Sequence, residues 1–274
     1  MSFDLTARVA RAKQGRRGLT LIELIVVLVI LVGLGGLLVP TISNALSRTH
    51  VATCAQTFPE VHQMIQRALI ESSSFGSGFD TALVSGGATP VNAVTGGTLA
   101  ATTLSAVEAQ ALINRGITAV FDHGPARSNV TFDIDPILET VDSSLELITL
   151  TPAQADAIFL PPVVTGTGAG ASKYVFLGIG REWTQLGTFA PEPPTHFGDT
   201  PGFLPDEVYS RFGIILEVTS DETVFADAAN PTAAELAEVA GAEFRRVSYC
   251  LDGDGFETGE GHIEVYWEEL NGIN

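Results

Sequence analysis

The 274-residue chain is 45% hydrophobic and 17% charged, with 32 acidic residues against 14 basic and a formal net charge of −18 at pH 7. That length accommodates an apolar helix and one good-sized globular domain, or two smaller ones, with a substantial core. So acidic a domain is a poor partner for nucleic acid, because that binding depends on Lys and Arg neutralising phosphates.

Charge is placed unevenly. Residues 1 to 18 carry Arg8, Arg11, Lys13, Arg16 and Arg17 against Asp4 alone, whereas residues 19 to 274 hold 9 basic residues against 31 acidic ones. Leu19 to Val39 is 21 residues with Glu23 as its one charge. As a helix it would reach roughly 31 Å, close to the ~30 Å hydrocarbon thickness of a bilayer, so a transmembrane helix is predicted over 19–39. Lys and Arg beside a span stay cytoplasmic, which puts the N-terminus inside and the acidic bulk outside. A secretory signal peptide is the competing reading, but its apolar core would be about 7 to 15 residues long and end at a small-residue cleavage site. An ionised acid inside a membrane helix is costly, so Glu23 needs shallow placement or a partner. One helical turn separates it from Leu19, so a cut after Gly18 would leave a new amino group about 6 Å away along the axis. A neighbouring subunit shifted by about one turn would bring its own Leu19 amine beside this Glu23, an attraction that assembly would realise. Pro40 removes one intrahelical hydrogen bond and kinks the helix. Gly33, Gly35 and Gly36 weaken it further or let helices approach closely, although ordinary membrane-helix glycine content is an equal reading.

Arg16-Arg17-Gly18-Leu19-Thr20-Leu21-Ile22-Glu23-Leu24 resembles the prepilin signal of type IV pilins and type II secretion pseudopilins, and Pro40 matches the proline usual in that family's helix. Leu19 departs from the commonest Phe or Met. The resemblance covers about the first 50 residues. It implies cleavage between Gly18 and Leu19 by prepilin peptidase with N-methylation of Leu19. It also implies assembly of the chain with itself through Glu23 and Pro40 into a helical filament, served by an inner-membrane platform and a cytoplasmic ATPase.

From Ile42 to Leu69 apolar residues recur at three- and four-residue steps, so an amphipathic helix is predicted over 40–71. Thr57-Phe58-Pro59-Glu60 has the spacing of a capping box with proline in its first turn, so the segment is either one long helix or two that meet near Phe58. Ser72 to Thr103 is rich in Ser, Gly, Thr and Ala and is read as an irregular linker. A helix is predicted over Ser105–Gly116. Strands are predicted over 117–121, 130–134, 145–150, 174–179, 212–218, 244–251 and 262–267. The expected fold is α+β and pilin-like: a long N-terminal helix, its first half membrane-spanning, packed on a mainly antiparallel sheet. The divisions are a leader 1–18, a polymerisation helix 19–39, its amphipathic continuation 40–71 and an acidic extracytoplasmic domain 72–274.

Two further sites are legible. Asp252, Asp254 and Glu260 lie in a glycine-rich acidic loop whose oxygens suit calcium, for which a solvated hairpin turn is the plain alternative. Cys54 and Cys250 form either a disulfide or two separate thiols. His50, His62, His123, His196 and His262 make no HExxH pair, no serine sits in a GxSxG elbow, and Gly166 to Gly170 lacks the Lys of a phosphate loop. An enzyme is therefore not expected. The reading is a structural subunit of a type IV pilus or secretion pseudopilus, inserted in the bacterial inner membrane as a single-pass precursor, its mature domain periplasmic or extracellular. The alternative is a monomeric, membrane-anchored surface protein that binds calcium or another ligand.

Overall fold

The computed structural model describes residues 20–84, 87–90, 100–123, 137–157, 164–194, 212–252 and 255–258, with the backbone alone placed at 37–51, 54, 55, 84, 87–90, 100, 123, 157, 248–252 and 255–258. The chain divides into two compact units, 1–46 and 47–274. Helix α1 (Leu21–Ser72) begins in the first and ends in the second.

The membrane span expected over 19–39 is corrected. Among the described residues no helix is long and apolar enough to cross a membrane. Single-pass insertion, the inner-membrane location, the periplasmic or extracellular placement inferred from it, and the membrane anchor of the alternative reading are corrected with it.

The pilin-like layout with a membrane-spanning first half is corrected as well: most strand pairings are antiparallel, but the sheet is mixed and helices fall between its strands. Among the described residues ten strands form one mixed sheet: β1 (Phe79–Val84), β2 (Gly87–Pro90), β3 (Ala100–Thr103), β4 (Ala119–His123), β5 (Ile137–Thr140), β6 (Glu146–Thr149), β7 (Ser172–Gly178), β8 (Phe212–Thr219), β9 (Glu243–Asp252) and β10 (Gly255–Thr258). The main path is β10-β9-β8-β7-β1-β4-β5, with β2 branching from β1, and β3 reached through β6 from β7. Strands β1 and β4 are parallel, with Phe79 opposite Val120 and Asp80 opposite Phe121. A parallel pair needs a crossover, and the chain between these two includes helix α2 (Ala106–Ile113). Helices α3 (Pro152–Ala157) and α4 (Ala233–Glu238) also fall between strands, so the order is not one long helix followed by strands.

The centre of the sheet is buried on both faces. Side chains alternate along a strand, and in β7 Val175 and Leu177 join one core while Tyr174 and Phe176 join the other. In β8 Ile214, Leu216 and Val218 belong to the first core and Ile215 to the second. Gly213 makes room for Phe176, whose ring would lie 2.2 Å from a Cβ there. The later part of α1 covers the first core with Phe58, Val61, Ile65 and Ala68, one helical stripe. Phe58 meets the Phe212 ring edge-on at 5.3 Å, and His62 lies against Phe244 at 5.0 Å. No break occurs at the expected capping box, because the Thr57 hydroxyl donates back to the Thr53 carbonyl at 2.9 Å and α1 continues.

The segment read as a linker supplies β1, β2 and β3. Phe79 and Leu83 are buried there, on opposite core clusters. The turn before β1 is fastened where Trp183, itself buried, donates its indole N–H to the Phe75 carbonyl at 2.9 Å. Gly78 follows with φ +81°, and a Cβ there would meet the Glu182 carbonyl oxygen at 2.1 Å. Trp183→Phe keeps most of the packing but strands a buried carbonyl, which should cost roughly 1–3 kcal/mol. Urea unfolding of the full chain measures it as a lowered midpoint with unchanged slope; an unaltered midpoint would show that this bond does not hold the turn.

Candidate assembly site

Helix α1 opens on a closed capping box. The Thr20 backbone N–H donates to Glu23 Oε2 at 2.8 Å, the Thr20 hydroxyl donates to the same oxygen at 2.9 Å, and the Glu23 N–H donates to Thr20 Oγ1 at 3.3 Å. Such reciprocal bonds satisfy N–H groups that have no partner inside the helix. The backbone donor first, and then the hydroxyl, hold the Glu23 carboxyl below its ordinary pKa. Glu23 is fully exposed, so in the single chain its charge faces water and its own helix start.

Beyond that box the helix is apolar on every side. All large apolar side chains from Leu21 to Leu34 are at least 50% exposed. Because consecutive residues are 100° apart around a helix, an unbroken apolar run leaves no polar face. Helices of this kind occur where something covers them all round.

The other residues singled out in the sequence are described in part only. Gly18 and Leu19 lie outside the described residues, and Pro40 is within α1 with only its backbone placed. Cys54 falls in α1 and Cys250 in β9, again as backbone alone. Asp252 ends β9 opposite Gly255 of antiparallel β10, while Asp254 and Glu260 lie outside the described residues. Among the described residues no group of three or more His, Cys, Asp or Glu comes together to hold a metal. His62 accompanies Gln66 at 2.8 Å, and burial pushes its pKa down.

Sequence reasoning fixed on the Leu19 amine and passed over Thr20 as a partner for Glu23, although Thr20-x-x-Glu23 has capping-box spacing. It also gave no role to Lys173, the one lysine after Lys13. No family model, curated protein or solved structure matches the chain.

A lowered carboxylate pKa means that the cap is intact above the ordinary glutamate value and lost as pH falls through Glu23's own, lower value. A carbon-13 NMR titration of the Glu23 carboxyl in the full chain should show this. Thr20→Val should raise the midpoint only part of the way, because the backbone donor remains. A midpoint identical in the two proteins would remove the hydroxyl from the box.

Proposed function

We propose that this chain is a structural subunit of a helical filament of the pilin or pseudopilin kind, cut between Gly18 and Leu19 by a prepilin peptidase and polymerised through the N-terminal part of α1. The observation that supports it most is the uncovered apolar helix from Leu21 to Leu34. Equivalent helices of other copies would cover it on all sides, and the gain grows with the apolar area removed from water. The prepilin-like residues around Gly18 support the same reading.

Glu23 sets the register. A helix start attracts negative charge, and the carboxylate already satisfies its own helix through Thr20. A carboxylate accepts more bonds than these two, so a neighbouring copy's Leu19 amine can join it without opening the box. Excluding water from the surrounding apolar bundle then strengthens the attraction between the two charges. Other copies of the chain are thus the principal partner, with the peptidase, an assembly platform and its ATPase acting on it. The role is mechanical and needs no catalytic group.

The experiment is the N-terminal residue and mass of the protein from cells with and without prepilin peptidase. A chain beginning at Leu19, with or without one added methyl group, only in peptidase-positive cells is expected; a leader retained in both would overturn the reading. Glu23→Ala should lower filament yield on the order of tenfold or more, as for other close charge pairs, without altering the melting of the folded domain. Undiminished yield would contradict the role given to the carboxylate.

A further inference from the structure

A cleft of about 430 Å³ lies where the N-terminal end of α2 meets the start of β7 and the end of β8. Small-molecule sites are commonly of this size. Its buried charged group is Glu108, only 3% exposed. The Ser105 N–H donates to Glu108 Oε2 at 2.9 Å, Lys173 Nζ lies 2.8 Å from the same oxygen, and the Ser220 hydroxyl donates to Oε1. The carboxylate is therefore fixed and neutralised. Lys173 is partly exposed, and Glu108 is its partner among the described residues. Its ammonium has three N–H groups, which leaves donors for a ligand.

The loop 164–171 also contributes to the cleft, which its exposed Thr165 and Thr167 line. The loop is tied at both ends: Ser172 N–H donates to the Val164 carbonyl at 2.8 Å, and Gly170 N–H to Asp221 Oδ2 at 3.0 Å. Thr103, Thr165 and Thr167 hydroxyls have no partner among the described residues. The cleft thus combines a prearranged charge pair with hydroxyls that both donate and accept.

Charge selects the ligand class. The Glu108–Lys173 pair is neutral, and nearby Arg245 is shared between Glu217 and Glu243 while Asp221 carries no ion pair among the described residues, in a chain of net charge −18. An anion entering would meet net repulsion, and a cation would have to displace Lys173. An uncharged molecule bearing several hydroxyls meets neither obstacle. We propose that this cleft binds a neutral saccharide of one or two rings, its hydroxyls bonded by Lys173, Thr165 and Thr167. Among the described residues no aromatic side chain lines the cleft, so the binding rests on hydrogen bonds and falls in the millimolar range. This site does not depend on filament assembly.

The test uses the full chain in dodecylphosphocholine, a detergent without a sugar headgroup. Saturation-transfer NMR and calorimetry are run with glucose, galactose, N-acetylglucosamine and maltose, and with citrate and inorganic phosphate as anionic probes. At least one sugar is expected to bind at millimolar concentration. Thr165→Val with Thr167→Val, on the exposed loop, should weaken it roughly fivefold or more with an unchanged melting temperature. Three outcomes overturn the proposal: no binding by any of the four sugars, binding of citrate or phosphate in their place, or sugar binding that the double variant leaves intact.

Discussion

A helix that shows Leu, Ile and Val to water on every face must be covered, and this requirement governs what the chain can be. The two parts of α1 carry different chemistry. From Leu21 to Leu34 every large side chain except Glu23 is apolar, and all are exposed. From Phe58 onward the buried apolar residues fall on one stripe that includes Phe58, Val61, Ile65 and Ala68, while Glu60, Gln66 and Glu71 stay exposed. The later stripe is satisfied within the chain by the sheet. The earlier surface is exposed among the described residues, and exposed apolar surface of this size is characteristic of association sites.

The folded unit owes its shape to strands with two apolar faces. Because β7 and β8 contribute alternate side chains to two cores, each must be covered above and below. α1 and α2 cover one side, and the branch through β6 and β3 with α3 serves the other. The crossover that makes β1 and β4 parallel also fixes α2, whose Ser105 and Glu108 form a capping box. Glu108 then reaches Lys173 on β7 and Ser220 just past β8. The cleft beside α2 is thus a consequence of how a helix start is tied to the sheet.

Much of this was legible in the sequence, and the failures have physical causes. The runs Tyr174–Ile179, Phe212–Val218 and Phe244–Leu251 coincide closely with β7, β8 and β9, since β-branched and aromatic residues dominate them. Ser105 and Glu108 marked α2. The three strands between residues 79 and 103 were hidden by their Ser, Thr, Ala and Gly, because burial there rests on a few residues such as Phe79 and Leu83. The parallel pairing could not be read, as it depends on a crossover and not on local pattern. Apolar length alone suggested a membrane span, which no described helix fulfils. At the assembly site a lone acid in an apolar run drew attention to Glu23, but its Thr20 partner emerged only from the geometry of the first turn. The Glu108–Lys173 pair joins residues 65 positions apart, a separation only the fold closes.

The central claim is that the apolar part of α1 is covered by the same part of other copies. Cysteine cross-linking tests it directly: Leu28→Cys, in a chain with Cys54→Ser and Cys250→Ser, is expressed with prepilin peptidase and oxidised. The account expects covalent dimers, since Leu28 sits within the exposed apolar stretch that a filament would bring together. Chains that remain monomeric after oxidation, with the new thiol still open to a water-soluble maleimide, would contradict it.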